Sequence, residues 1–515
     1  MNGAESLVKT LLAGGVDVCF TNPGTSEMHF VAALDNNPGM RCVLGLFEGV
    51  VTGAADGYYR MADRPASTLL HLGPGLANGL ANLHNAKKAN SGIVNIVGDH
   101  ATYHLKHNAP LTSDIEGFAK PVSHWIKTSP SSATIAADGA LAIEEARQAP
   151  GRVATLILPA DTAWGEAGDV AKTNEPAARK KPDADVVKQA AALLSNGKRA
   201  SLLLGGRALR ADALDLAARI AAKTGCGVLT EGANARLERG AGRLEVERVP
   251  YVVDKALAVL EKAGQLVLVG ATEPVAFFAY PDKPSLLTQP NTKTVQLASV
   301  DGDLFAALQA LADELDAQSA APAGLSPSKR PEVMPGAITP ASIATVLGAI
   351  LPEGAIVVDE SVSTGREFFP MTAGAPPHDW LNNRGGSIGF GLPVAVGAAI
   401  ACPDRKVVAL ASDGSTMYTV QSLWTIAREN LDVTILVFSN HSYNILRGEL
   451  TNVGVSNPGQ SAIDMLSLDR PFLNWVDMGN SMGVASVRVT DTAELVRAFQ
   501  AGLASGGPNL IELMM

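Results

Sequence analysis

The sequence predicts three α/β domains, each a doubly wound, mainly parallel sheet covered by helices. Three observations predict it. Short apolar runs alternate with amphipathic stretches along the chain, the pattern of repeated βα units. At 515 residues the chain exceeds what one compact core uses. Two stretches, 171–183 and 317–337, turn to Pro, Ala, Ser and Lys and read as linkers, which sets the domains at 1–170, 184–316 and 338–515.

In the first domain, residues 16–21, 41–47, 67–72 and 92–98 are the strand candidates, with helices between them. In the second they are 200–204, 227–231 and 266–270. In the third, 355–358, 406–412 and 433–439 read as strands, and Met417, Val420, Leu423, Trp424 and Ala427 share one helical face.

Bulk composition narrows the function. A net charge of −10 and no dense Lys/Arg patch exclude a nucleic-acid surface; the runs at 179–181 and 329–330 fall in the linkers. The four cysteines show neither disulfide nor zinc spacing, which suits a reducing compartment. No apolar run reaches the ~18 residues of a membrane span, and Ala4, Leu7, Val8, Leu11 and Leu12 follow helical periodicity instead of a leader pattern. A cytoplasmic protein with no membrane partner is expected.

The chemistry begins in the third domain. Asp413-Gly414-Ser415 ends one predicted strand and Asn440-His441-Ser442 ends the next, so Asp413 and Asn440 share the carboxyl edge of a parallel sheet, where α/β proteins bind ligands. A carboxylate, an amide oxygen and a backbone carbonyl suit Mg²⁺ when phosphate oxygens complete its shell. Asp-Gly-Ser alone is an ordinary turn signal; the pairing is what carries information. The segment SDGS…SNHSYN resembles the GDG…NN signature of thiamine diphosphate enzymes such as pyruvate decarboxylases, acetolactate synthases and benzoylformate decarboxylases. Ser412 and His441 depart from it, at positions that supply no metal ligand.

That resemblance implies that Asp413, Asn440 and the Ser442 carbonyl hold Mg²⁺, and that Gly414, Ser415 and Tyr443 contact thiamine diphosphate. The loop 359–364, with Val362 and Ser363, looks like the family's diphosphate loop. Residues 383–393 (NRGGSIGFGLP) resemble the GGLGFALP segment, which makes Ile388 the apolar wedge under the thiazolium and the Gly386 carbonyl the acceptor of the aminopyrimidine amine.

The first domain would supply acid–base groups. A Glu in the first turn of a helix commonly serves the macrodipole. Glu48, followed by a small-residue helix and Gly57-Tyr58-Tyr59-Arg60, nevertheless resembles the family's activating acid. Residues 22–27 (NPGTSE) resemble the NPGSNE loop of benzoylformate decarboxylase, which places Thr25 at a substrate contact, and His71 stands where that enzyme carries an active-site His. The stretch 99–108 is similar to the DHA..H..HH phrase of pyruvate decarboxylases. It offers His107 as a further proton carrier, with Asn108 replacing the second His and Leu446 standing where those enzymes place a Glu.

The family resemblance implies cleavage or formation of the C–C bond beside a 2-oxo acid carbonyl, with decarboxylation first, carboligation onto an aldehyde or second oxo acid beside it, and an acetolactate synthase-like transferase as the alternative. A homodimer or homotetramer with sites between subunits is implied. A non-enzymatic scaffold on the same fold is the third reading. Gly73-Pro74-Gly75 departs from G-x-G-x-x-G spacing, and Pro74 lacks the N–H a pyrophosphate needs, which disfavours a nicotinamide site.

Overall fold

A computed structural model describes residues 1–515. The first sheet uses β1 (Val18–Asn22), β2 (Arg41–Leu44), β3 (Ala66–Leu70), β4 (Ile93–Asp99), β5 (Trp125–Thr128) and β6 (Val153–Pro159), in the order β2-β1-β3-β4-β6-β5, all parallel. Its central strands β3, β4 and β6 are buried throughout, as strands with helices on both faces must be. The polar groups that this burial traps pair with one another. Thr68 Oγ1 donates to Asn95 Oδ1 at 2.7 Å and Asn95 Nδ2 to Thr155 Oγ1 at 2.9 Å, one step of the ladder per strand.

The central segment supplies β7 (Ala200–Leu204), β8 (Gly227–Thr230), β9 (Leu237–Arg239), β10 (Glu247–Arg248), β11 (Gln265–Val269) and β12 (Thr294–Ala298). Five of them form a parallel sheet, β10-β8-β7-β11-β12. The sixth, β9, leaves it and pairs antiparallel with the edge of the third sheet, which runs β17 (Ala485–Val489), β18 (Asn509–Met514), β16 (Val433–Ser439), β15 (Val407–Ser412), β13 (Ile356–Glu360), β14 (His378–Asn382), β9. The fold class is the one expected from the sequence.

The first and third sheets both reverse their winding beside a central strand. In the first, β1 leads outward to β2 while β3 lies on its other side; in the third, β13 leads to β14 while β15 and β16 lie opposite. The loops after β1 and β3, and those after β13 and β15, therefore diverge and leave a crevice at the carboxyl edge.

The two outer sheets meet through the helices Glu48–Ala62 and Gly391–Ala401. Backbones approach so closely that a Cβ on Gly57 would lie 2.1 Å from the Val394 carbonyl oxygen, and one on Gly397 1.9 Å from that of Ala54. Small residues are required at this crossing. The buried Arg60–Asp56 pair (2.7 Å) locks it, with Arg60 also donating to the Asn382 carbonyl at 2.7 Å. A charge buried this deeply is tolerable because its donors are matched.

Candidate functional site

The loops of the third sheet's crevice converge on one cradle. Asp413 opens a short helix, Asp413–Thr416, directly after β15, and its buried carboxylate accepts from Gly414 N at 2.8 Å and His441 N at 2.7 Å. The two signature loops, on adjacent strands, are thus tied together. Asn440 Oδ1 accepts from Ser442 N at 3.0 Å, which turns the loop so that Ser442 follows at once. Burial raises the Asp413 carboxyl pKa, against the pull of those amides. Gly414 admits the Tyr443 ring, whose Cε1 would lie 2.5 Å from a Cβ there.

After β13 the chain turns through Ser361, held by Asp359 Oδ1 (from Oγ 2.5 Å, from N 3.1 Å), into Val362 and Ser363. Val362 has φ +49°, a left-handed conformation that a β-branched residue adopts at a cost of order 1–3 kcal/mol. Nine non-glycine residues have positive φ, and six are Asp or Asn, which tolerate it. The other three are Leu72, Val362 and His441; Leu72 opens the helix Leu72–Ala89 beside His71, and Val362 and His441 sit in loops that the sequence singles out.

The segment 383–391 is held from all sides. Asn383 Oδ1 accepts from Gly386 N (2.8 Å), Asn85 Oδ1 from Ser387 N (3.1 Å), and Thr419 Oγ1 and Asn82 Nδ2 donate to Gly389 O (2.9 and 3.2 Å). Beneath it Glu360, fully buried, accepts from the amides of Gly389 (2.8 Å), Phe390 (3.1 Å) and Gly391 (2.8 Å). Burial pushes its carboxyl up to about 7, with the three amides opposing. Glu360 fixes the backbone directly after the half-buried Ile388, a role sequence reading missed because its partners are backbone groups. Phe277, from the central segment, lies against Gly386.

In the first sheet, Glu48 opens its helix right after Phe47, and its buried Oε2 accepts from Asn78 Nδ2 at 3.0 Å. Gly75 and Gly79, one helical turn apart in Leu72–Ala89, keep that helix close: a Cβ would lie 3.2 Å from Glu48 Oε1 and 2.9 Å from Thr52 Cγ2 respectively. This accounts for Gly75 and Gly79 of the GPGLANG phrase without a dinucleotide, while Gly73 leaves room for Ser113. His71 caps the same helix, with Leu72 at φ +48° turning it into the crevice after β3. Its Nδ1 lies 2.8 Å from Glu27 Oε2.

Thr25 and His71 line a cavity of about 290 Å³ with Ser26, His100, His104 and Trp164 among its other walls. His107 does not line it. It stands one ring further out, 5.7 Å from His104, which is itself 5.4 Å from His100. His100 and His104, not singled out in the sequence, are the imidazoles that share the cavity with His71, and the buried His100 Nε2 has no protein partner.

The third-sheet cradle fits a bound diphosphate with a hard cation. It offers one carboxylate beside amide and carbonyl oxygens, and no group of three or more His, Cys, Asp or Glu side chains gathers anywhere to hold a metal unaided. An ion here needs phosphate oxygens to complete its shell.

Comparison with known proteins agrees with this geometry. Residues 1–118 match the model of the thiamine pyrophosphate enzyme N-terminal TPP binding domain, and residues 365–513 that of the C-terminal TPP binding domain. The chain is 51% identical over 516 residues to the Mycobacterium tuberculosis protein described as "putative acetolactate synthase large subunit IlvX", covering 100% of this chain and 99% of that one. It is 27% identical over 530 residues to benzoylformate decarboxylase of Pseudomonas aeruginosa, covering 97% and 96%. Among solved structures, the thiamine diphosphate-dependent 4-hydroxybenzoylformate decarboxylase of Rhodococcus jostii superposes with a TM-score of 0.87 at 24% identity, over 100% of this chain and 99% of that one, a likeness of fold.

Proposed function

The chain belongs to the thiamine pyrophosphate enzymes, and from that premise we propose that it decarboxylates a 2-oxo acid without oxidation, with Mg²⁺ as the second cofactor. The observation that carries the reading is the cavity at the first sheet's crevice, where Thr25 and His71 face a space sized for a small acid and His71 keeps Nε2 free of any protein partner. Bound thiamine diphosphate supplies a nucleophilic carbon and an electron sink for the bond to the departing carboxylate.

The protein's own residues do the rest. Asp413, Asn440 and the Ser442 carbonyl hold the metal, and Val362, Ser363, Gly414, Ser415 and Tyr443 border the diphosphate. Ile388 and the Gly386 carbonyl would hold the cofactor's two rings. Glu48, buried beside Asn78, holds a proton against the pyrimidine ring. Thr25 binds the substrate carboxylate side, and His71 gives a proton to the carbon that has lost CO₂, with His104 passing protons inward from His107 at the exposed rim. Tyr103, Trp164, Leu72 and Leu111 line the same cavity and suit an apolar side chain. Small 2-oxo acids are the partners, and a homodimer or homotetramer is the assembly. No helix is long and apolar enough to cross a membrane, and we place the protein in the cytoplasm.

A second reading, carboligation of two oxo acids, is favoured by the 51% identity to the protein described as an acetolactate synthase subunit. The test incubates the holoenzyme with pyruvate, 2-oxoisovalerate and benzoylformate and measures CO₂ and products. One aldehyde per CO₂ supports decarboxylation. Two acids consumed per CO₂, with a hydroxy-oxo acid as product, supports carboligation, and no CO₂ from any acid overturns both.

A further inference from the structure

Glu27 closes the loop after β1, and its side chain has no exposed surface. Oε2 accepts from Gly24 N at 2.7 Å and faces His71 Nδ1 at 2.8 Å, while Oε1 accepts from Ser26 Oγ at 2.6 Å. Gly98 makes the room: a Cβ there would stand 1.7 Å from Oε1. Gly24 makes room for the ring, since its Cβ would lie 2.2 Å from His71 Cγ and Nδ1. No Lys or Arg reaches this carboxylate; the sole ion-pair partner it has is His71. A buried carboxylate is costly unless paired, so a site that keeps one here, between two required glycines, is built around the imidazole.

Resting on the function proposed above, we infer that Glu27 is a positioning residue for that reaction: it holds the His71 ring with its proton on Nδ1, so that Nε2 is always the nitrogen turned to the substrate cavity. A carboxylate accepting from Nδ1–H fixes the tautomer and steadies the imidazolium. In the protonation step the Nε2–H bond breaks and a C–H bond forms on the carbon that lost CO₂. The N–H electron pair returns to Nε2, the ring becomes neutral with Nδ1–H retained on Glu27, and water entering the cavity restores the Nε2 proton. Ser26 completes the device: its hydroxyl donates to the second carboxylate oxygen at 2.6 Å and lies 3.3 Å from His71 Nδ1, so it steadies both members of the pair.

A double-mutant cycle on the holoenzyme tests this: wild type, Glu27→Gln, His71→Ala and the double variant, read by thiamine diphosphate affinity in Mg²⁺ buffer and by kcat and KM on the acid of the panel above that is turned over fastest. Glu27→Gln should lower kcat roughly 10- to 100-fold, leave KM and cofactor affinity within about twofold, and cost less than about threefold once His71 is Ala. Equal losses in both backgrounds, or an unchanged kcat, would overturn the relay while leaving the thiamine reading intact. Loss of cofactor binding by the wild type would overturn both. Should Glu27→Gln fail to fold, Ser26→Ala removes one hydrogen bond to the same carboxylate and must show a smaller loss, about two- to fivefold, that likewise vanishes with His71→Ala.

Discussion

The crevices of the first and third sheets arise from the same topology and are furnished in opposite ways. At the third, backbone is the material: the left-handed Val362 and His441, the tight glycines at 386 and 389, and amides gathered on Asp413 and Glu360. At the first, side chains are the material: Glu48, Glu27, His71 and Asn78, each held by another side chain or by a glycine-sized gap, with Thr25 on the cavity wall beside them. The difference follows from what each must hold. A diphosphate and its cation need fixed dipoles and oxygens, whereas proton transfer needs groups that change charge. Binding should therefore fail at the third crevice and chemistry at the first.

The largest expected effect is at the first crevice. Glu48→Gln should lower kcat by roughly 10²–10⁴-fold, with thiamine diphosphate still bound, as read by steady-state turnover beside cofactor titration. A variant that keeps full turnover would show that Glu48 sits there for the helix alone.

A middle-sized effect separates Glu360 from the metal ligands. Its carboxyl is raised from 4.5 to about 7 in the fold, so the folded state binds the extra proton and stability from this group falls as pH rises from about 4.5 to about 7. Glu360→Gln removes that slope and orphans an amide, at a cost of about 1–3 kcal/mol. Thermal unfolding of both proteins at pH 5 and pH 8 checks the sign: the wild type should lose more stability between those two values than the variant does. Parallel losses would contradict it.

The smallest effect tests the strain directly. Val362→Gly should raise stability by about 1 kcal/mol, the relief of a left-handed β-branched residue less the entropy of glycine, and weaken cofactor binding because the loop is no longer preset. Denaturant midpoints and cofactor affinity measure both; a variant that is less stable would deny stored strain at this loop.

How much was legible in the sequence divides along the same line. Asp413 and Asn440 could be read because one β-turn-α-β unit carries both at the ends of adjacent, mainly apolar strands. Glu48 stood out as the first residue after a strand, and it does open the helix. Glu27 and His71 lie 44 positions apart with no local pattern linking them, so the dyad emerges only when β1 and β3 are neighbours. The last two strands at one side of the third sheet were also hidden. β14 reads His-Asp-Trp-Leu-Asn because Asp379 is buried against Arg236 and Arg405, a pairing no local window reveals. β9 joins a sheet to which its own segment does not otherwise belong. The expected helical face from Met417 to Ala427 breaks into a 3₁₀ turn and a short helix, Ser422–Arg428, as Thr419 turns to Gly389 O.

The division of labour between the two crevices is tested most directly by calorimetric titration of thiamine diphosphate, with Mg²⁺ present, into the wild type, Asp413→Ala and Glu48→Gln. Asp413→Ala should lose affinity on the order of 100-fold, as removal of a charged oxygen ligand implies, while Glu48→Gln binds within a few-fold of the wild type, roughly the worth of one hydrogen bond. Wild-type affinity in Asp413→Ala, or a comparable loss in Glu48→Gln, would contradict a third-sheet cradle that binds and a first-sheet crevice that reacts.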